Sequence, residues 1–543
     1  MELPVHRAWW KESNVYQIYP ASFKDSNGDG IGDIPGIVSE LDYIAGLGVD
    51  IVWLCPCYKS PQFDMGYDIS DYKDIYEKYG TLSDIDKLIS GLHKRGLKFL
   101  MDLVVNHTSN RHEWFQSAIS SKDSEYRDWY IWRKPKYAAD GTRQPPNNWA
   151  SHFGGSAWEY DEQSGEYYLH LFFKEQPDLN WENPRVRDAV HDIMRFWLDR
   201  GVDGFRMDVI NYISKDPEMP DAPMANTNEK YQNGRIHYAT GPRLHEYLQG
   251  LGKILKEYDA FSVGEMPSVF DPTEIIKVVG FERNELNIIF QFEIVSVDHG
   301  PTGMYSPRTW QLTELKAIVH KWQTFMQTND GWNALYLENH DQARSVSRFA
   351  SDVPAVRKSA AKMLATFLGF QSGTIFLYQG QELGLANVPK EWGLEKYPGA
   401  PKEELETIRD EMQKKARDNA RTPMQWDTTV NAGFSTVTPW MDVNEDYKEW
   451  NAESQKNDPS SVYAYWQSIF GLRRELKDSV CAYQRVYGSS NALVITSFKN
   501  CDVKWTVPYE YVKQGKILLT NYDRSDIVRD MLLRPFEALV LLA

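Results

Sequence analysis

Three short apolar runs in this 543-residue chain end on acids. Asp208 closes Gly204-Phe205-Arg206-Met207, Glu265 closes Phe261-Ser262-Val263-Gly264, and Asp341 ends Ala334-Leu335-Tyr336-Leu337-Glu338-Asn339-His340. A single acid at a strand end is ordinary, because it caps the helix that follows. Three runs with the same habit predict three acids meeting at one rim of one sheet. Asp68, Asp102, Asn106, His107, Arg206 and His340 also fall at or just beyond strand ends. A pair of carboxyls, one protonated to donate to a leaving oxygen and one ionised to attack an anomeric carbon, is what cleavage of a glycosidic bond requires. Arg206 shares a strand face with Asp208, where its charge is expected to lower the Asp208 pKa.

The elements that must carry these groups alternate. Strand signals at Val15–Tyr19, Ile51–Leu54 and Leu97–Val105 are separated by helical runs at Ile37–Ala45 and Ile85–Arg95. Past a helical run at Val186–Arg200, strand signals recur at Gly204–Met207, Phe261–Val263, Asn287–Phe290, Ala334–Leu337 and Thr374–Tyr378. The nearly all-apolar Ile51-Val52-Trp53-Leu54 suits a strand covered on both faces. Eight such strands predict an α/β fold, a (β/α)8 TIM barrel with working groups on the loops at the C-terminal strand ends. Between Asn106 and Pro177 the rhythm breaks into Trp-, Tyr-, Gly-, Pro- and Asn-rich sequence with one strand signal, Tyr167–Phe173. A long insertion of that aromatic content is read as functional. A helix near Tyr463–Leu476 precedes a tail of alternating runs, Ala492–Phe498 and Glu537–Leu542, read as a C-terminal antiparallel β domain. The expected domains are therefore 1–105 (barrel, first part), 106–177 (an inserted irregular subdomain after strand 3), 178–477 (barrel, second part) and 478–543 (β domain).

Composition narrows the classes. A net charge of -16 with no basic tract argues against nucleic acid as a partner. No apolar run approaches ~20 residues and the first residues lack an apolar core, so neither a membrane span nor a secretory leader is expected. Cys55 and Cys57 flank a proline and read as packed free thiols, consistent with a reducing, cytoplasmic compartment. The 19 Trp and 31 Tyr serve either core packing or flat platforms for sugar rings; composition does not separate the two.

Asp102-Leu103-Val104-Val105-Asn106-His107, Gly204-Phe205-Arg206-Met207-Asp208-Val209, Val263-Gly264-Glu265 and Glu338-Asn339-His340-Asp341 resemble the four signature regions of the α-amylase superfamily, glycoside hydrolase family 13. Gln176-Pro177-Asp178-Leu179-Asn180 resembles its fifth, in the form of the oligo-1,6-glucosidase and α-glucosidase branch. Gly66–Tyr72 and Arg417–Trp426 extend the likeness over nearly the whole chain. The resemblance implies Asp208 as nucleophile, Glu265 as general acid and then base, and Asp341 as the stabiliser gripping the distorted sugar. It implies His107 and His340 hydrogen-bonding the sugar in the first subsite, Phe172 and Gln176 among the substrate-binding residues, and Arg206 orienting Asp208; as the acid, Glu265 would stay protonated near neutrality, raised by burial and by the Asp208 charge. Asp68 and Arg417 would hold the far edge of the terminal glucose, closing the pocket and making cleavage exo. Tyr67 is either a stacking platform or core.

The implied activity is that of a retaining α-glucosidase on short α-glucosides, its two carboxyls ~5–5.5 Å apart. Val209 after the nucleophile and Met266-Pro267 after the acid resemble members acting on α-1,6 bonds, with α-1,4 bonds and sucrose open as further substrates. Two alternatives use the same site: glucosyl transfer and sucrose isomerisation. Isomerases of this family carry an arginine-rich loop where this chain reads Ser296-Val297-Asp298-His299-Gly300, which weighs against the second. An alternative of another class, a non-catalytic relative like the heavy chains of amino-acid transporters, is disfavoured by three intact acids and no anchor.

Asp25-Ser26-Asn27-Gly28-Asp29-Gly30-Ile31-Gly32-Asp33 alternates oxygen ligands with a glycine at the turn, as in an EF-hand loop, but Gly36 stands where the bidentate Glu would be. Such turns are also common without metal. Likeness to a calcium site of the family implies structural Ca²⁺, with Mg²⁺ second, on Asp25, Asn27, Asp29, the Ile31 carbonyl and Asp33.

Overall fold

Each of the eight apolar runs is a strand of one parallel sheet. In chain order they are β1 (Asn14–Ile18), β2 (Ile51–Leu54), β3 (Lys98–Leu103), β4 (Gly204–Met207), β5 (Phe261–Glu265), β6 (Ile288–Phe290), β7 (Ala334–Leu335) and β8 (Thr374–Tyr378). A computed structural model describes residues 6–300, 303–389, 392, 401–475, 484–487 and 490–542. The hydrogen-bonded order is β6-β5-β4-β3-β2-β1-β8-β7, parallel wherever the register is defined, as a (β/α)8 barrel requires. Strands β1, β2, β4 and β8 are buried along their whole length, the consequence of helices covering one face and packed side chains the other.

Several expected boundaries move. The helical run at Ile37–Ala45 is two helices, Ile34–Ser39 and Leu41–Leu47, broken at Glu40, whose side chain turns to pair with Lys24. The strand expected over Ala334–Leu337 stops at Leu335, where its ladder to β8 ends, leaving Tyr336–Asp341 irregular. The helix expected near Tyr463–Leu476 is Val462–Glu475, and a further short helix, Tyr509–Gln514, lies within the C-terminal tail; the expected end at Leu476 and the boundary at 477/478 lie outside the described residues.

The chain divides into two compact units, Met1–Val52 with Gly91–Leu97 and Phe292–Ala543, and Trp53–Ser90 with Lys98–Gln291. In the second unit the inserted stretch is not purely irregular. It contains a helix, Glu113–Ser120, capped by His112, and a three-stranded sheet in which Glu166–Leu169 lies between Trp132–Arg133 and Trp158–Asp161. Its core of Trp149, Trp158, Leu169 and Leu171 includes Val209, Tyr212, Ala222 and Tyr238 from the segment that follows β4. In the first unit, Gln484–Tyr487, Ser490–Thr496, Ala538–Leu542 and Lys516–Thr520 form an antiparallel sheet over a core of Val507, Tyr511, Met531 and Leu539. Cys55 and Cys57 are buried. Among the described residues no helix is long and apolar enough to cross a membrane.

Candidate active site

The register of β3, β4 and β5 brings the acids of the second unit together. Arg206 lies opposite Asp102 on one side and Val263 on the other, so Asp208 and Glu265 leave neighbouring strand ends. Gly204 permits the approach: a Cβ there would come within 1.9 Å of the Phe261 carbonyl oxygen. Arg206 Nη1 bonds Asp208 Oδ1 at 2.7 Å and Asp102 Oδ1 at 2.9 Å, and Nη2 bonds Glu265 Oε2 at 2.7 Å. Its guanidinium sits near the rings of Trp53 and Tyr67, 5.2 and 5.7 Å from the centroids.

One guanidinium thus serves three carboxyls in a buried place, which sets their protonation. Burial pushes Asp208 up to about 6; the pull of Arg206 is not enough to offset burial and the repulsion of Asp102. Arg206 lowers the Asp208 pKa as its charge predicts, but burial outweighs it and the net value stays above the ordinary one. Asp102 is likewise pushed up to about 6 by burial, against Arg206 and with the repulsion of Glu265. A hydrogen bond between the Glu265 and Asp208 carboxyls favours the ionised form of Asp208.

Val209, next in the chain, is held at φ 34°, a left-handed conformation that a β-branched residue adopts only under constraint. Its N–H points to Glu265 Oε2 at 3.4 Å. Such strain costs about 1–3 kcal/mol and collects at working sites.

The other candidates of this unit form a hydrogen-bonded rim. His107 is buried, which lowers its pKa and keeps it neutral; its Nε2 lies 3.1 Å from the Tyr67 carbonyl and 3.2 Å from Gln176 Nε2, and its ring packs on Phe172. Gln176 also donates to Asp64 at 3.0 Å. Tyr67 is buried with its hydroxyl 3.3 Å from Asp102, so it packs into the cluster. Both Asp68 oxygens accept local bonds, from the Ser60 hydroxyl and the Phe63 and Asp64 N–H groups, and burial raises its pKa. Lys215, which motif reading missed, is buried against Asp178 (2.9 Å), Asn106 Oδ1 (3.0 Å) and the Tyr212 carbonyl (2.7 Å). No local pattern marks it, because its charged partner, Asp178, is remote in sequence.

In the first unit Asp341 follows the irregular end of β7. Arg417 Nε reaches its Oδ1 at 3.0 Å and Arg421 Nη2 at 2.8 Å, while His340 Nε2 lies 3.4 Å from Oδ2. Burial opposes ionisation, yet the charges of Arg417, His340 and Arg421 hold the carboxyl far below the usual carboxylate range. His340 is fixed by Gln17 at 3.0 Å, by stacking on Tyr19 and by an Arg421 bond to its carbonyl. Arg421 was legible only as part of the Arg417–Trp426 motif.

The Asp25–Asp33 loop offers oxygen donors only, the chemistry of a hard cation. Asp25 Oδ1 accepts from the N–H groups of Asn27 and Gly28, and Oδ2 from Gly30 N–H and the Ser435 hydroxyl. Asn27 and Asp29 each accept from the N–H two residues on, and Asp33 caps the helix that follows through Gly36 N–H. These turns prefold the loop, while among the described residues no three acidic, His or Cys side chains converge on one point.

Residues 17–481 match the family model of the α-amylase catalytic domain, and the chain belongs to that family of glycoside hydrolases. It is 50% identical to an α-glucosidase of Schizosaccharomyces pombe over 98% of each chain. It is 48% identical to an oligo-1,6-glucosidase of Parageobacillus thermoglucosidasius over 99% of each. The crystal structure of a trehalose-6-phosphate hydrolase of Bacillus licheniformis superposes with a TM-score of 0.91 at 40% identity, covering 99% of this chain and 100% of the other.

Proposed function

We propose that this protein is an exo-acting, retaining α-glucosidase that releases glucose from the non-reducing end of short α-glucosides, with α-1,6 bonds preferred. The observation that carries the reading is the sharing of one guanidinium by Asp208 and Glu265. Two carboxyls drawn to the two ends of one guanidinium from neighbouring strand ends suit the close pairing of a retaining mechanism.

In the first step Glu265 gives its proton to the glycosidic oxygen as Asp208 Oδ attacks the anomeric carbon. The C–O bond breaks, the aglycone leaves as an alcohol and a glucosyl ester of Asp208 forms. Glu265, now ionised, takes a proton from water; the hydroxide adds to the anomeric carbon and Asp208 departs as carboxylate. Arg206 keeps Asp208 aimed and Asp102 holds Arg206. The family likeness gives Asp341, kept anionic by Arg417 and Arg421, the role of gripping sugar hydroxyls through the ring distortion, and gives His107 and His340 roles in bonding sugar.

Identity with the oligo-1,6-glucosidase supports the α-1,6 preference, together with Val209 beside the nucleophile. The test is an initial-rate panel of isomaltose, maltose, sucrose, trehalose and starch with product analysis. Isomaltose ahead of maltose, with glucose released and starch untouched, supports the reading. Substantial starch cleavage contradicts an exo pocket, and isomaltulose or trehalulose formed from sucrose replaces hydrolysis with isomerisation. The oxygen-only loop at Asp25–Asp33 supports structural Ca²⁺, and the packed thiols Cys55 and Cys57 support a reducing, cytoplasmic setting.

A further inference from the structure

Asp298 lies between β6 and β7, on the segment before a short hairpin, and takes no part in the steps above. It is nevertheless the centre of a buried charge cluster. Arg348 grips it with two nitrogens, Nε to Oδ2 at 2.8 Å and Nη2 to Oδ1 at 2.6 Å, and Lys415 Nζ reaches Oδ1 at 2.6 Å. The side chains of Asp298, Arg348 and Lys415 are 7%, 1% and 3% exposed. Burying three charges this deeply costs more desolvation energy than the ion pairs reliably return, so stability is a poor explanation for the cluster.

Its outward connections supply a better one. Arg348 spends Nη1 on Gln342 Oε1 at 2.6 Å, and Gln342 is the residue after Asp341. Lys415 ends the helix Lys402–Lys415, and Arg417, two residues on, bonds Asp341 Oδ1. Arg348 also bonds the Val295 carbonyl, and the Asp298 carbonyl accepts from Arg308 N–H at 2.8 Å, which anchors the segment bearing Asp298. A two-nitrogen arginine–carboxylate contact is planar and directionally stiff. One carboxylate therefore ties down the chain on the C-terminal side of Asp341 and the chain that presents a guanidinium to it.

We infer that Asp298 is a positioning residue for Asp341, bracing Gln342 through Arg348 and Arg417 through Lys415, and so fixing the pose in which the Asp341 carboxylate meets the sugar. The inference rests on the reading of Asp341 as the carboxylate that grips the substrate. All of its parts lie within one compact unit of the chain.

The experiment is a double-mutant cycle on the full-length enzyme: Asp298→Asn, Asp341→Asn and the double variant, with kcat and KM on 4-nitrophenyl α-glucoside and a melting curve for each. A misplacement of about 1 Å at a working carboxylate costs on the order of 100-fold in rate. D298N is expected to lose that much in kcat, with KM within about threefold of native, because the lost interaction belongs to the transition state. On the D341N background the same change is expected to cost no more than about twofold, since a residue acting through Asp341 has nothing left to position. Full native kcat in D298N overturns the inference, and so does an equal loss from D298N with or without Asp341. Native kcat in D341N instead overturns the role of Asp341 itself. If the melting curve shows D298N unfolded, Lys415→Met, which leaves the Asp298–Arg348 contact in place, is run through the same cycle. It is expected to lose about tenfold on the native background and none on D341N; additive losses overturn the inference.

Discussion

Asp208 and Glu265 hang from the two terminal nitrogens of the same guanidinium, each at 2.7 Å, and hydrogen-bond to each other. Arg206 can neutralise only one negative charge, and Asp102 already draws on it at 2.9 Å. Burial and mutual repulsion about that one cation push Asp208 and Asp102 each up to about 6.

Replacing Asp208 with Asn is expected to reduce turnover by about 10⁴-fold or more while the chain still folds, since removal of a nucleophile takes away the unit through which the others act. A variant that keeps about a tenth of the native rate is incompatible with the assignment.

The same substitution has a stability consequence with a defined sign. Folding raises the Asp208 pKa from 3.8 to about 6, so between those values the folded chain binds more protons than the unfolded one. Stability then falls as pH rises through that window. D208N lacks this group and is expected to melt above the native protein at pH 7.5, with the difference vanishing below pH 4. An unchanged difference across that range counts against a raised pKa.

Activity needs Asp208 ionised, so the acid limb of kcat/KM is expected near pH 6, the value to which burial pushes Asp208 and Asp102. A limb near the ordinary carboxylate range would mean that Arg206 wins over burial after all.

Glu265→Gln removes the proton donor and keeps the shape. Loss is expected to be severe on isomaltose, by about 10²–10⁴-fold, and small for the first step on glucosyl fluoride, whose leaving group needs no proton. Azide, which needs no general base, is expected to restore turnover of the glucosyl enzyme. Equal losses on both substrates would remove Glu265 from the acid role.

Val209 touches linkage preference and strain together. Val209→Thr is expected to lower the ratio of isomaltose to maltose hydrolysis by roughly tenfold, within the 10–200-fold that one small group in a pocket commands. An unchanged ratio places selectivity elsewhere.

Chelation tests the Asp25–Asp33 loop. EDTA is expected to lower the melting temperature and added Ca²⁺ to restore it, with kcat on isomaltose unchanged at temperatures where the chain is folded. No change in melting with either treatment dismisses the metal.

The eight strands, their order along the chain and the acids at their ends were readable from residues alone, because apolar runs and helix periodicity are local properties. Gly204–Met207 and Thr374–Tyr378 fall where the runs predict them, residue for residue. Boundaries failed where a long-range contact decided them: Glu40 breaks a helix to meet Lys24, and β7 ends where β8 stops pairing with it. The opposition of Arg206 and Asp208 on one strand face was local and legible. That burial, with the repulsion of Asp102, would turn the Asp208 pKa upward, and that Asp102 and Glu265 would share the Arg206 guanidinium, depends on strands 3, 4 and 5 lying side by side. Lys215 on Asp178, Arg421 on Asp341 and Asp298 between Arg348 and Lys415 are likewise meetings of charges 37, 80, 50 and 117 residues apart. Residue types and spacing determined which chemistry this chain can attempt. Only the packed structure decided which charges share a site, because Coulomb energy and desolvation depend on distance through space and on the water removed, and neither is written along the chain.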